Sequence, residues 1–150
     1  MKALLVGESR QGRLLASSYE TLAFANKIGA EAAMFLVGSP EDLPRFEGSL
    51  YLADVGQAGE YNPRGHKELL LEVIEKERPD LVVLSHSSYG WDLAPRIAAA
   101  LGVAQVSEVI DYAEGSFVVP ACNAKLRRTV EPSGAVAVVT LQSGAFSLAG

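Results

Sequence analysis

The sequence predicts a three-layer α/β domain, in which helices cover both faces of a mostly parallel sheet. Short apolar runs alternate with segments of helical periodicity over about the first hundred residues, which is typical of repeated strand–helix–strand units. The runs are almost continuously apolar, as in strands that are buried on both faces. A chain of 150 residues fits one compact domain. We therefore expect residues 1–150 to form a single domain.

Four apolar runs predict the strands of this sheet. Each is short, and glycine follows the first two directly, at Gly7 and Gly38. The runs are Ala3–Val6, Ala32–Val37, Ser49–Ala53 and Leu81–Leu84. Right-handed crossovers should connect them.

Two helices are predicted between these strands. The first begins at Ser17, with Glu20 three residues later as a possible capping box, and ends at Gly29. The second begins at Asn62-Pro63, because asparagine caps helices and proline is tolerated at the first helical position. Pro79 ends it.

A third helix is predicted to follow the fourth strand. Asp92 is a residue type that begins helices, and Pro95 is tolerated in a first turn. Ile97 and Leu101 continue the apolar stripe, and Gly102 ends the helix.

After about Val103 the pattern becomes β-rich. Four segments have β character: Val106–Tyr112, Phe117–Val119, Ala124–Val130 and Val136–Leu141. Glu114-Gly115 and Pro132–Gly134 are turn signals between them. We expect a β-rich C-terminal extension or an antiparallel edge on the same sheet.

Composition excludes several classes of function. The chain has 13 Lys and Arg against 18 Asp and Glu, a net charge of −5, which disfavours nonspecific binding to nucleic acid or an anionic membrane. One cysteine excludes an intramolecular disulfide, and two histidines leave little material for a metal centre, so we expect no metal. No apolar run is long enough to span a membrane and no signal-peptide pattern is visible, which predicts a cytoplasmic protein without membrane insertion.

The loop after the first strand places glycines at Gly7 and Gly12, a spacing that superficially resembles a phosphate-binding loop. Arg13-Leu14 stands where such a loop needs lysine and a hydroxyl residue, and Glu8 would repel a phosphate. A simple turn leaving the strand is therefore favoured.

The loop after the fourth strand is the better ligand candidate. It lies at the carboxyl end of a parallel sheet, where open α/β folds bind ligands. Ser87, Ser88 and Gly90 are the candidates for a nucleotide loop, since hydroxyls and amides at a helix N-terminus hold anions. Asp92 in the expected first turn argues against an anion. Capping and turn formation are the alternative.

The same loop suggests two further hypotheses. A hydrolase using Ser87 or Ser88 with His86 lacks the Gly-x-Ser-x-Gly elbow, so we expect His86 to be structural. Tyr89 and Trp91 flank Gly90, and the sequence leaves open whether these aromatic residues anchor an interface or fold over the sheet end.

Three remaining features have ordinary interpretations. His66 lies beside charged residues on a predicted helix and should be solvated. Cys122 lies in an apolar stretch and should be a buried small residue. The basic residues Lys125, Arg127 and Arg128 form a local patch that fits either an acidic partner or a solvated strand edge.

The run Ser88–Ala98, Ser-Tyr-Gly-Trp-Asp-Leu-Ala-Pro-Arg-Ile-Ala, resembles the signature of the N-terminal domain of electron transfer flavoprotein α subunits. Weaker similarities to the same family occur in the family's order on both sides of this run, at Leu4–Glu8, Asn123-Ala124 and Thr140–Phe146. The positions that match the family motif are Ser88, Gly90, Asp92, Pro95, Arg96 and Asn123.

The chain departs from the family pattern at four places. Ser107-Glu108 replaces a Ser-Asp pair, and Cys122 replaces a glycine. Gln142-Ser143 stands where Arg-Pro is expected, so no arginine role carries over to Gln142. Trp91 is bulky for its position.

The resemblance implies a Rossmann-like three-layer sandwich of the adenine nucleotide alpha hydrolase-like kind. It also implies a scaffold role: the domain pairs with the β subunit beneath the FAD domain of the α subunit. The parent carrier passes electrons from dehydrogenases to a respiratory acceptor. FAD is then bound mainly outside this chain, in a C-terminal domain that the chain lacks, and no catalytic or cofactor-binding residue is assigned. The alternative is a stand-alone adenine-nucleotide-binding domain of universal-stress type, although its Gly-x2-Gly-x9-Gly-Ser/Thr spacing does not occur.

Overall fold

The fold is taken from a computed structural model that describes residues 1–10, 13–46, 48–54, 63–113, 116–121, 126–130, 136–142 and 145–146. In chain order the elements are β1 (Lys2–Val6), β2 (Ser9–Arg10), β3 (Arg13–Leu14), α1 (Ser17–Ile28), β4 (Glu31–Gly38), β5 (Ser49–Asp54), α2 (Pro63–Glu77), β6 (Leu81–Ser85), α3 (Ser88–Leu101), β7 (Gln105–Val109), β8 (Asp111–Ala113), β9 (Ser116–Ala121), β10 (Leu126–Val130) and β11 (Ala137–Leu141).

Six strands form one parallel sheet, in the order β5-β4-β1-β6-β11-β7. The central strands are apolar because both of their faces are covered. Along β1, Ala3 and Leu5 pack on one face with Phe24 of α1. Leu4 and Val6 pack on the other face, with α2 and α3. The predicted Rossmann-like three-layer sandwich with a mostly parallel sheet is confirmed.

The C-terminal third differs from one of the two arrangements expected for it. A β-rich extension exists, because β8, β9 and β10 form a separate antiparallel sheet. The expectation of an antiparallel edge is wrong, since β11 returns to the main sheet and lies parallel between β6 and β7. All five residues of β11 are buried, which requires a central position covered on both faces.

The small sheet takes the place that a helix would have in the third layer. Phe117 and Val119 of β9 pack in the same core as Phe24 of α1. Phe24 stacks with Phe117 and makes an edge contact with Phe146, with ring centroids 6.4 and 4.9 Å apart. This aromatic group joins the extension to the body of the domain.

The ends of the helices correct two expectations. The N-cap of α1 is Ala16, without a side-chain cap bond, so the capping box from Ser17 to Glu20 does not form. α3 begins at Ser88, four residues before the predicted Asp92, because the Ser87 hydroxyl accepts the Gly90 amide and caps the helix there. Pro95 consequently lies inside α3. The predicted helix ends at Gly29 and Gly102 are confirmed, and both glycines are left-handed C-caps.

Candidate functional site

At the carboxyl edge of the sheet, the strand order reverses between the neighbouring strands β1 and β6. From β1 the chain runs to α1 on one face, and from neighbouring β6 it runs to α3 on the opposite face. Their end segments therefore diverge and leave a crevice, which is where doubly wound folds place their ligands. Glu8 follows β1 and Ser87 follows β6.

Glu8 and Ser87 meet across this crevice. The Ser87 hydroxyl donates a short hydrogen bond to Oε1 of Glu8 and accepts the Gly90 amide at 3.2 Å. The backbone of Glu8 is held as well, since its amide donates to Ser18 Oγ at 2.8 Å and its carbonyl accepts the same hydroxyl at 3.1 Å. Only 6% of Glu8 is exposed. The crevice is thus filled by a carboxyl of the chain itself.

Burial has the largest effect on the pKa of the Glu8 carboxyl. It raises the pKa of Glu8 above its ordinary value, because the charged form loses hydration. The hydrogen bond from Ser87 and the positive charge of Arg10 act in the opposite direction. A phosphate or an FAD pyrophosphate at the N-terminus of α3 would meet this carboxyl, so the residues present do not fit such a group.

The first turn of α3 lies unusually close to the end of β6. A Cβ atom on residue 90 would stand 1.9 Å from the Ser85 carbonyl oxygen, so only glycine fits. Tyr89 turns back against α2, where its hydroxyl lies 3.0 Å from Nδ1 of His66. His66 is only 3% exposed, so the expectation of a solvated histidine is wrong. The tyrosine hydroxyl supplies a polar partner that permits the burial of His66.

His86 also has a structural environment at this edge. Its amide donates to the Leu141 carbonyl at 2.8 Å, and Nδ1 lies 2.9 Å from Oγ1 of Thr140. Thr140 Oγ1 also accepts the Glu108 amide at 3.0 Å. Nε2 of His86 lies 3.7 Å from Glu108 Oε1. This contact ties β6, β11 and β7 together.

Glu108 is a site residue that sequence reasoning missed. Its φ is +56°, a left-handed conformation that is unusual for a residue other than glycine. The pairing of β11 with β7 shifts register between Val139 and Leu141, beside the bonded Thr140. Nothing in the residue types signals this irregularity, because it depends on the partner strand.

An open cleft of about 520 Å³ lies above these residues, lined by His86, Ser87, Ser88, Trp91 and Asp92. Trp91 is 66% exposed, whereas its neighbour Tyr89 is half-buried. Tyr89 therefore packs against the domain, and Trp91 faces solvent. Asp92 lies in the second turn of α3 and pairs with Arg96 at 3.4 Å. The acid that opposes an anion here is Glu8, not Asp92.

The sequence candidates are brought together only in part. Ser87, Ser88 and Gly90 lie together at the start of α3. For the hydrolase hypothesis, Ser87 donates its proton to Glu8 and not to His86, whose Nδ1 lies against Thr140. The loop after β1 carries the β2–β3 hairpin, in agreement with a turn leaving the strand.

Several candidate residues from the sequence lie outside the described part of the chain or in β10. Gly12, Cys122, Asn123 and Lys125 lie outside the described residues. Arg127 and Arg128 stand in β10, an outer strand of the small sheet. Within the described ranges, no three of His, Cys, Asp and Glu are grouped to hold a metal ion. None of the described helices is long and apolar enough to cross a bilayer.

Comparison with known proteins identifies the family. The model of the electron transfer flavoprotein domain matches residues 3–150. The chain belongs to this family. The electron transfer flavoprotein resemblance carried by Ser88–Ala98 is therefore confirmed, and the domain is related to electron carriers.

Three curated relatives give the scale of similarity. The electron transfer flavoprotein subunit alpha of Bacillus subtilis is 30% identical over 118 residues, covering 73% of this chain and 36% of the relative. The Mycobacterium leprae subunit alpha is 26% identical, covering 96% of this chain and 48% of the relative. The Acryloyl-CoA reductase electron transfer subunit beta of Anaerotignum propionicum is 25% identical, covering 63% of this chain and 28% of the relative. This electron transfer flavoprotein domain thus spans less than half the length of these three relatives.

Proposed function

We propose that this chain is the N-terminal scaffold and subunit-interaction domain of an electron transfer flavoprotein α subunit. It would act in the cytoplasm, in an FAD-containing carrier that passes electrons from dehydrogenases to a respiratory acceptor. The observation that carries this proposal is the family match along residues 3–150, shared with curated α subunits. The domain has no catalytic role of its own and belongs to a carrier, not an enzyme.

The crevice supports a scaffold role over a cofactor-binding role. The buried carboxyl of Glu8 is bonded to Ser87 at the N-terminus of α3, where its charge would oppose a phosphate. FAD is accordingly held mainly outside this chain, in the FAD domain of the α subunit. The length of the relatives, of which the chain spans less than half, leaves room for that domain.

Trp91 supports an interaction role. A tryptophan exposed to 66% beside an open cleft is the residue type most enriched at interface hot spots. We propose the electron transfer flavoprotein β subunit as the partner of this domain, with the FAD domain of the α subunit as its second neighbour. Neither nucleic acid nor membrane insertion has a place in this function.

The test is association with the β subunit from the same source. Residues 1–150 and the β subunit are mixed at equal concentration and followed by size-exclusion chromatography with light scattering. A one-to-one complex is the expected result. The sole tryptophan provides a second readout, because covering Trp91 should shift its fluorescence to shorter wavelength. Separate elution of the two proteins at tens of micromolar would count against the proposal.

The alternative is a stand-alone adenine-nucleotide-binding domain of universal-stress type. The cleft at the carboxyl edge, lined by Ser87 and Ser88, is the observation that favours it. Thermal unfolding with AMP, ATP and FAD separates the two proposals. A ligand at about 100 times its dissociation constant adds about 2.7 kcal/mol, a shift of roughly 5–10 °C. Such a shift with AMP or ATP would favour the nucleotide binder, and one with FAD would place flavin on this domain.

A further inference from the structure

The open cleft at the carboxyl edge suits a positively charged side chain from outside the domain. Its described lining residues include neither lysine nor arginine. Trp91, which is 66% exposed, presents its ring at this cleft. An indole ring attracts cations more strongly than the other aromatic side chains do. The cleft therefore offers an aromatic surface without a resident cation on its lining.

Glu108 supplies a carboxylate beside the cleft. Its Oε1 lies 3.7 Å from Nε2 of His86, which is too long for a strong hydrogen bond, and its side chain is half exposed. Within the described ranges, no lysine or arginine lies within 4 Å of this carboxylate. Asp92, in contrast, is paired with Arg96. Glu108 is therefore the exposed acid of this region with which an incoming cation can pair.

The backbone of Glu108 determines where its carboxylate is presented. The residue has a φ of +56°, a conformation that favours glycine, and its amide donates to Thr140 Oγ1 at 3.0 Å. Backbone strain of this kind concentrates at binding and catalytic sites. Keeping a glutamate where glycine is preferred indicates that its side chain has a use.

Trp91 and Glu108 are also two of the positions at which the chain departs from the pattern of its family. They belong to different elements, α3 and β7. His86 connects them, because it lines the cleft with Trp91 and contacts Glu108. Two departures at one cleft are what recognition of a particular partner would require.

We propose that Trp91 and Glu108 form a clamp for an arginine side chain of a partner protein. The guanidinium would stack on the indole ring and donate hydrogen bonds to the Glu108 carboxylate. Arginine suits this pair better than lysine, because its planar group stacks on aromatic rings and matches a carboxylate with two donors. The inference rests on the proposed function, in which the partner is the β subunit, and adds the chemistry that this subunit presents.

The experiment measures the affinity of this chain for the β subunit by calorimetric titration at several salt concentrations. Glu108→Gln should weaken binding about tenfold, the effect of losing a hydrogen bond to a charged group, and should reduce its salt dependence. Glu31→Gln is the matched control, since it makes the same exchange at an exposed position at the start of β4, on the opposite edge of the sheet. It should bind as wild type does. Equal affinities of wild type and Glu108→Gln would overturn the proposal.

Glu108→Gly distinguishes recognition from a structural role. Glycine adopts the left-handed backbone freely, so the midpoint of urea unfolding should not fall below that of wild type. Affinity for the β subunit should nevertheless fall as in Glu108→Gln. A lower midpoint together with wild-type affinity would show that Glu108 is structural and would overturn the clamp.

A small probe tests the clamp without the β subunit. Trp91 is the sole tryptophan, so its fluorescence reports on this cleft alone. N-acetyl-arginine amide should change that fluorescence saturably, and the neutral citrulline analogue should not. The response to arginine should weaken in Glu108→Gln. Failure of wild type to bind the β subunit would contradict the proposed function, whereas equal responses to the arginine and citrulline probes would contradict the clamp.

Discussion

The Ser85 carbonyl oxygen lies 1.9 Å from the position that a Cβ atom on Gly90 would take. The glycine therefore permits α3 to begin directly against the end of β6. Ser87 can cap the helix and reach Glu8 only from this position. This close approach thus positions the start of α3 at the carboxyl edge.

Gly90→Ala should destabilise the domain severely. The added methyl group must push the first turn of α3 away from β6, and overpacking of this kind costs about 1–3 kcal/mol or more. Gly102→Ala is the control: its φ is +67° and nothing lies within 4 Å of a Cβ there, so about 1 kcal/mol is expected. Urea unfolding measures both. Equal losses would contradict the close approach at Gly90.

Phe24→Leu should detach the small antiparallel sheet preferentially. Phe24 contacts Phe117 of β9 and Tyr112 of β8, which join the extension to α1. Loss of the ring should cost about 1.5 kcal/mol and accelerate amide exchange in β9 more than elsewhere. Phe35→Leu, on the opposite face of the sheet, should give a similar loss without that selective acceleration. Identical exchange patterns in the two variants would refute the prediction.

Two glutamates should affect the pH dependence of stability with opposite signs. Burial raises the pKa of Glu8 above its ordinary 4.5, so the folded state takes up a proton that the unfolded state does not. The stability of wild type relative to Glu8→Gln should therefore increase as pH falls from 7 toward 4.5. Urea unfolding at closely spaced pH values measures this difference, and a constant difference would argue against a buried ionised carboxyl.

Glu77 should behave in the opposite way. The ion pair with Lys2 and the Tyr51 hydroxyl, which donates at 2.6 Å, lower the pKa of Glu77 below 4.5. This stabilisation is present above pH 4.5 and is lost as pH falls through the lowered pKa. Wild type should thus lose its advantage over Glu77→Gln in the window below pH 4.5. A growing advantage in that window would show the sign to be wrong.

Trp91→Ala should separate interaction from stability. Because the side chain is 66% exposed, unfolding should change by no more than about 0.5 kcal/mol. If Trp91 lies at the β-subunit interface, affinity should fall about 30-fold, as for a hot-spot residue. Leu43→Ala, another exposed apolar residue, should leave affinity unchanged. Calorimetric titration of both variants decides, and equal affinities would remove Trp91 from the interface.

At the site, the sequence predicts features that depend on neighbouring residues and misses those that depend on distant partners. The importance of the loop after β6 follows from local pattern, since it comes between a buried strand and a helix. The helix start at Ser88 could have been found from Ser87, a capping residue type. The close contact that requires Gly90 is visible only in the structure. The burial of His66 does not follow from its charged sequence neighbours, because its partner Tyr89 comes from another helix.

The sequence by itself determined four strands of the main sheet (β1, β4, β5 and β6), the presence of the three helices and the covered parallel sheet. These follow from apolar periodicity and turn residues within a few positions. Tertiary structure alone decided that β11 lies between β6 and β7, and that Glu8 closes the crevice against Ser87. Such relationships join residues far apart in the sequence; Glu8 and Ser87, for example, are 79 positions apart. Pairing at such separation depends on which buried surfaces and hydrogen-bond partners remain once the sheet has assembled, and no local pattern encodes that choice.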